Sequence, residues 1–306
     1  MKKQLLPVGF YDLLFDEAEK NHQNINVALD SFLKAKYRLI KTPLVEFEDN
    51  FSDQLQNSFR TTDVISGKNL IFRNDITPQI FRVLASRLSE EKLPLKLCYV
   101  GDVLCAKNND LYKDRQQTQV GVEIIGCDEE KSNFEIIEIL LLVLEKLQVK
   151  NLLIEFSLPN FLEIFLEEID AKNRAELREA IGQKNLTLIK KFGGQNYQII
   201  SKIAQFNSDL EGLAAEILAT IKSQKIAQEI IRAQKISQFL EQNFPQLKVC
   251  FDLFGDDQSS YHQDIMFDVF SSDFSYPIAR GGRYKISQLN GVGATIYMNF
   301  LRKVTG

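Results

Sequence analysis

The segment Gln119-Val120-Gly121-Val122-Glu123-Ile124 places two hydrogen-bonding side chains and a glycine at alternate positions. In a strand, period-two geometry sends Val120, Val122 and Ile124 to one face and Gln119, Gly121 and Glu123 to the other. A glycine between two polar side chains lets a ligand approach the backbone, and a carboxylate beside an amide suits an ammonium group. Alternation alone favours a plainer outcome, an ordinary solvent-exposed sheet face. Asp75 and Thr77, also two apart, pose the same question. Gly281-Gly282-Arg283-Tyr284 predicts a tight turn carrying an arginine and a phenol, which is weak as a phosphate loop. Four cysteines, Cys98, Cys105, Cys127 and Cys250, form no CxxC pair and read as structural thiols. With His22 and His262 as the only histidines, a histidine-rich metal site is excluded.

The elements that must carry these residues alternate in character along the chain. A helical pattern from about Asp12 to Lys36 follows the turn-like Leu6-Pro7-Val8-Gly9-Phe10, with Ile25, Ala28, Leu29, Phe32 and Leu33 at helical spacing. Thr77-Pro78 opens a second helix through Arg87, the proline sitting where its missing N–H costs nothing. Leu95 to Lys107 and Gln117 to Ile125 flank the turn-rich Asn108-Asn109-Asp110 and predict an antiparallel hairpin. Ser132-Asn133-Phe134-Glu135 reads as a capping box opening a deeply buried apolar helix through Leu147. From about Leu158 to Asn243 the composition becomes helical. Within that block Ser208 and Glu211 form another capping box ahead of the stripe Leu210, Leu213, Ala214, Ile217, Leu218, Ile221. Strands return at Leu247 to Leu253, Ile265 to Phe270 and Tyr276 to Arg280. This order predicts an α+β fold interrupted by a helical insertion: a core of 1–157 and 244–306, and an insertion of 158–243.

Composition sets the outer bounds. In 306 residues, 37 Lys and Arg against 41 Asp and Glu give a net charge of −4, which supplies no broad positive field for a phosphate backbone. The longest apolar run, Ile139 to Leu144, falls well short of the ~20 residues of a spanning helix. The N-terminal segment carries no signal-peptide core, so the expected compartment is the cytoplasm.

Five segments in order resemble the histidyl-tRNA synthetases and, more closely, their non-catalytic relatives, the regulatory subunits of ATP phosphoribosyltransferase. The segments are Leu6-Pro7-Val8-Gly9-Phe10-Tyr11-Asp12, Phe72-Arg73-Asn74-Asp75-Ile76-Thr77-Pro78-Gln79, Gly101 through Gly126, Tyr261-His262-Gln263-Asp264-Ile265-Met266-Phe267 and Ala279-Arg280-Gly281-Gly282-Arg283-Tyr284. The resemblance spans nearly the whole chain and implies a class II aminoacyl-tRNA synthetase-like antiparallel sheet flanked by helices, with the helical block as its insertion.

Departures from the synthetase pattern separate the two relatives. The arginine of the second class motif, which holds the α-phosphate, falls on Cys105, and the adjoining acid on Lys107. An arginine specific to the histidine enzyme falls on Asp257, and that of the third class motif on Phe300, with Arg302 two residues beyond. Adenylation relies on preorganised positive charge at the transferring phosphate, so three lost cations argue against it. With the sequence running to Gly306, no anticodon-binding domain is expected. The amino-acid end survives: the resemblance implies that Asp75, Thr77, Gln119 and Glu123 hold the ammonium and imidazole of histidine, while Arg115, Tyr261 and Tyr284 line the same cavity. His262 agrees with the Tyr-His pair of the regulatory family, and Gln263-Asp264 departs from its usual Thr-Gly. The resemblance further implies a protein without catalytic residues, metal or cofactor, which self-associates, assembles with a short catalytic subunit, and takes histidine as allosteric effector in histidine biosynthesis. Neither nucleic acid nor membrane is an expected partner. The competing expectation is a truncated synthetase-like protein with an amino-acid-activating or tRNA-related role.

Overall fold

A computed structural model describes residues 5–50, 57–107, 114–127, 130–168, 173–205, 210–255, 262–286 and 289–305. The chain forms two compact units, Met1–Asp128 with Glu135–Val149 and Gly293–Gly306, and Glu129–Phe134 with Lys150–Val292.

In the first unit, helix α1 (Phe15–Lys34) leads to β1 (Arg38–Ile40), β2 (Val45–Phe47), β3 (Arg60–Thr62), β4 (Asn69–Phe72), α2 (Thr77–Arg87), β5 (Leu95–Leu104), β6 (Gln116–Ile125) and α3 (Glu130–Lys146). β2, β4 and β3 make a small antiparallel sheet of their own. β5 and β6 form the predicted hairpin, paired without a bulge from Leu95 opposite Ile125 to Leu104 opposite Gln116, and β1 adds in parallel along β5. The predicted turn at Asn108-Asn109-Asp110 lies outside the described residues. Val120, Val122 and Ile124 are buried on one face, where Cys98 stands opposite Val122, while Leu97, Tyr99 and Val103 are buried on the other. Along α3, Ile136, Ile137, Leu140, Leu141, Val143 and Leu144 are fully or nearly fully buried, while Leu142 is exposed.

The expected capping box at Ser132 is overturned, because α3 already begins at Glu130. Ser132 and Asn133 lie inside the first helical turns and turn their side chains to the buried Arg283: its Nη2 donates to Ser132 Oγ at 2.8 Å and to Asn133 Oδ1 at 2.9 Å. A short polar side chain that can cap a helix can equally satisfy a buried cation, and burial decides for the cation here.

The second unit contains β7 (Leu152–Ser157), α4 (Phe161–Glu168), α5 (Arg174–Gly182), α6 (Leu186–Phe192), α7 (Tyr197–Ile203), α8 (Leu210–Thr220), α9 (Gln224–Asn243), β8 (Lys248–Asp252), β9 (His262–Ser271), β10 (Phe274–Ile286) and the first residues of β11 (Leu289–Tyr297). β8 runs parallel to β7, while β9 is antiparallel to both β7 and β10. Phe156 stacks on Phe251 and tilts against Phe267, giving the sheet face an aromatic core. Asn185 and Ser223 cap α6 and α9 through Leu188 N–H and Ile226 N–H. The predicted stripe of α8 is buried at Leu210, Leu213, Ala214 and Ile217, and Ile221 just past its end is buried too; Ser208 lies outside the described residues.

The expected turn at Gly281-Gly282 is likewise corrected. Both glycines lie within β10, which carries a ladder irregularity between Gly282 and Tyr284. A bulge with glycine lets the strand re-aim the following side chains, and this one sends Arg283 to α3. The last strand, β11, ends in the first unit, where α10 (Met298–Val304) follows it directly.

Candidate functional site

The first unit positions its polar residues through the segment that joins β4 to α2. Arg73 donates from Nε to the Asp102 carbonyl at 2.6 Å, and from Nη1 to the Thr42 carbonyl and hydroxyl at 3.0 Å each. Its guanidinium lies over Gly101, where any Cβ would collide with it, and burial lowers its pKa. The Arg73 carbonyl in turn accepts from Leu104 N–H at 2.8 Å, so both ends of this residue are tied to β5. Gln79 continues the brace: its amide donates to the Pro43 carbonyl and to Glu46, and its Oε1 accepts from Thr42. Glu46 also accepts from Arg82. Asp75 and Thr77 therefore stand on a segment held from three sides.

β6 meets this segment with the predicted polar face. Gln119 Oε1 accepts from Ile76 N–H at 3.2 Å, and Glu123 Oε1 accepts from the Thr77 hydroxyl at 2.8 Å. Gln119 and Glu123 are only 3% and 2% exposed, so this face is an interior wall and the solvent-exposed alternative is overturned. A buried carboxylate requires hydrogen-bond donors or a cation, and a charge-assisted bond of this kind contributes about 1.5–3 kcal/mol. Burial, and then the negative charges of Glu123 and Asp75, raise the pKa of the Tyr99 phenol well above its ordinary value.

Tyr99 was not among the residues expected from sequence. It is 1% exposed, and its hydroxyl lies 2.6 Å from Thr295 Oγ1. Its ring occupies the space over Gly121, where a Cβ would meet the ring and, at 2.8 Å, the Ala294 carbonyl. The gap expected to admit a ligand to the β6 backbone is thus filled by a neighbouring side chain. Gly293 serves Glu123 in the same way, since a Cβ there would collide with the Glu123 carboxylate. The signal was available in the hairpin register, which sets Tyr99 opposite Gly121.

The remaining expected residues divide. Arg115 packs against two rings, 4.5 Å from the centroid of Phe59 and 5.5 Å from that of Phe10, and donates to the Cys105 carbonyl. The two rings meet edge to face with centroids 6.1 Å apart, and the Arg115 N–H donates to the Gly9 carbonyl, which ties it to the N-terminal segment. Tyr284, in the second unit, is buried over Gly291, whose Cβ its ring would exclude. Tyr261 lies outside the described residues, as does Asp257, and His262 is placed only by its backbone, opposite Tyr284.

At the positions where the synthetase pattern has cations, the chain offers none to a phosphate. Burial pushes the Cys105 thiol up to about 11, keeping it neutral at physiological pH. Phe300 is buried and packs on Tyr297 at 5.6 Å. Arg302 is paired at 3.0 Å with Glu17 of α1. Asn299 spans the start of β6, accepting from Thr118 N–H and donating to Asp114 and to the Gln116 carbonyl, each at 3.0 Å.

Comparison with known proteins identifies the family. The histidyl-tRNA synthetase family model matches residues 9–301. An ATP phosphoribosyltransferase regulatory subunit from Thermoanaerobacter pseudethanolicus is 30% identical over 91% of this chain and 75% of its own length. The chain belongs to the ATP phosphoribosyltransferase regulatory subunits of the histidyl-tRNA synthetase family. A second member of the regulatory-subunit family, from Paramagnetospirillum magneticum, is 27% identical over 97% of this chain and 80% of its own. Among solved structures, an ATP phosphoribosyltransferase regulatory subunit/histidyl-tRNA synthetase from Bacillus halodurans superposes with a TM-score of 0.86 at 21% identity, covering 100% of this chain and 84% of the other. A chain of the ATP phosphoribosyl transferase (HisG:HisZ) complex from Thermotoga maritima gives 0.70 at 19% identity, over 91% and 97%. Both share the class II synthetase-like fold.

Proposed function

We propose that this member of the regulatory-subunit family carries out no chemistry itself and binds histidine at the Asp75, Thr77, Gln119 and Glu123 wall, thereby regulating a short ATP phosphoribosyltransferase catalytic subunit with which it assembles. The observation that carries this reading is the contrast between the Glu123 wall and the positions where the synthetase pattern has phosphate-binding cations. The carboxylate end keeps a buried, hydrogen-bonded Glu123 suited to a cation, whereas the positions a phosphate would need hold a neutral thiol, a packed phenyl ring and an arginine already paired. Binding an amino acid without activating it is what a feedback sensor requires. Regulation then demands that histidine bind two states of the assembly with different affinity, and it operates reciprocally on the partner's equilibrium. Self-association of this chain through its class II-type core forms the body onto which the catalytic subunit docks.

The test is reconstitution. The catalytic subunit is assayed alone and with equimolar chain, with and without histidine, while sedimentation reports the complex. Co-sedimentation with histidine-sensitive activity supports the reading. A partner whose mass and activity ignore the chain removes it.

A further inference from the structure

One face of the second unit's sheet carries a row of charged side chains that the ladder sets in register. Glu155 of β7 stands directly opposite Asp268 of β9 on one side and Cys250 of β8 on the other. Period-two geometry returns Asp252, two residues beyond Cys250, to the same face, so the Glu155 carboxyl has an aspartate on each flank. Like charges directly opposite one another weaken an antiparallel pair. Two cations reach the row, and both are engaged by the aspartates: Lys184, between α5 and α6, lies 2.8 Å from Asp252, and Arg280 of β10 lies 3.1 Å from Asp268. Half-buried Glu155 forms no ion pair among the described residues.

Burial holds the Glu155 carboxyl above the usual carboxylate range, Asp252 and then Asp268 raise it further, and Lys184 opposes them. Burial, with Glu155 and Asp252, likewise pushes the Cys250 thiol up to about 12, so it stays neutral across the range in which Glu155 ionises. Folded Glu155 keeps its proton where the unfolded chain has already lost it, and the stability this contributes is lost as pH rises through the folded value. The weakest element in the row is β8. It is the edge strand, hydrogen-bonded to β7 alone, whereas β9 is held by β7 and β10 together.

We propose that Glu155 makes the seam between β7 and β8 sensitive to pH. Neutral, it sits between Asp252 and Asp268 without repulsion, and β8 stays closed on the sheet. Ionised, it faces two carboxylates with no cation of its own, and the edge strand opens more often. The titratable and charged groups that face it are Cys250 and Asp252 from β8, Asp268 from β9 and Lys184 from the α5–α6 junction, with Arg280 one strand beyond.

Hydrogen exchange on the full chain, expressed as protection relative to the intrinsic rate at each pH, tests this beside Glu155→Gln, which keeps the shape and stays neutral. Between about pH 5 and pH 7.5 the β8 amides of the wild type should lose protection about three- to tenfold, and those of Glu155→Gln less than about twofold. Exchange in the β5–β6 hairpin should be the same in both chains. The thermal midpoint of the variant should exceed that of the wild type by about 2–4 °C at pH 7.5, with the difference closing toward pH 5. Protection of β8 that falls alike in both chains, a midpoint difference that ignores pH, or a variant less stable than the wild type at pH 7.5 overturns the proposal.

Discussion

Tyr99 stands directly opposite Gly121 in the β5–β6 ladder, and its ring fills the volume the glycine leaves. Interior glycines ordinarily weaken a strand, and an aromatic cross-strand neighbour offsets that loss by covering the exposed backbone. Gly121→Ala should therefore destabilise the fold by about 1–3 kcal/mol, since the new methyl meets both the ring and the immobile Ala294 carbonyl. Thermal unfolding measures this, and a midpoint at or above that of the wild type would show that the ring is free to move aside.

Removing charge from the wall should cost affinity with little effect on the fold. Glu123→Gln and Asp75→Asn keep shape and hydrogen-bonding capacity, and each is expected to weaken histidine by about ten- to a hundredfold, corresponding to about 1.5–3 kcal/mol. The complex without histidine should retain its activity. Unchanged titrations for both variants would place the effector elsewhere.

Arg283 predicts a stability effect of a different kind. Its guanidinium forks onto Asn133 and Ser132 of α3 while itself 9% exposed, so truncation leaves two polar side chains without their donor. Arg283→Ala should lower stability by about 3–5 kcal/mol, and Arg283→Lys should recover only part, because an ammonium cannot reproduce the fork. Equal stability of the lysine variant and the wild type would mean that charge alone suffices.

The chain should show no histidine-dependent exchange of pyrophosphate into ATP. Restoring one cation through Cys105→Arg or Phe300→Arg should leave it inactive, because preorganised charge acts as a set at the transferring phosphate. Exchange above a protein-free control, in the wild type or either variant, would restore the adenylating alternative.

Much of this architecture is legible in the sequence because it is set by local patterns. α1 and α2, the β5–β6 hairpin and the polar-apolar alternation of Gln119 to Ile124 follow from periodicity and from Pro78 near the start of α2. What periodicity conceals is the destination of polar side chains. Ser132 and Asn133 resemble a cap but satisfy a cation 150 residues away in sequence, and Gly281-Gly282 resembles a turn but forms the irregular stretch of β10 that aims that cation. Tyr99 escaped for the same reason. Between Cys98 and Val100 it reads as a core aromatic, and its hydroxyl acquires meaning only when Thr295 arrives from β11. Arg115 is the opposite case: the resemblance assigns it to the pocket lining, while Phe10 and Phe59 hold its guanidinium.

The measurement closest to the central claim is a histidine titration of the reconstituted complex of this chain with a short catalytic subunit, run beside the same titration on the Glu123→Gln complex. Inhibition of the wild-type complex that shifts to about ten- to a hundredfold higher histidine in the variant, at equal uninhibited activity, is the predicted result. Activity that does not depend on this chain, or inhibition curves that coincide for the two complexes, would contradict the account.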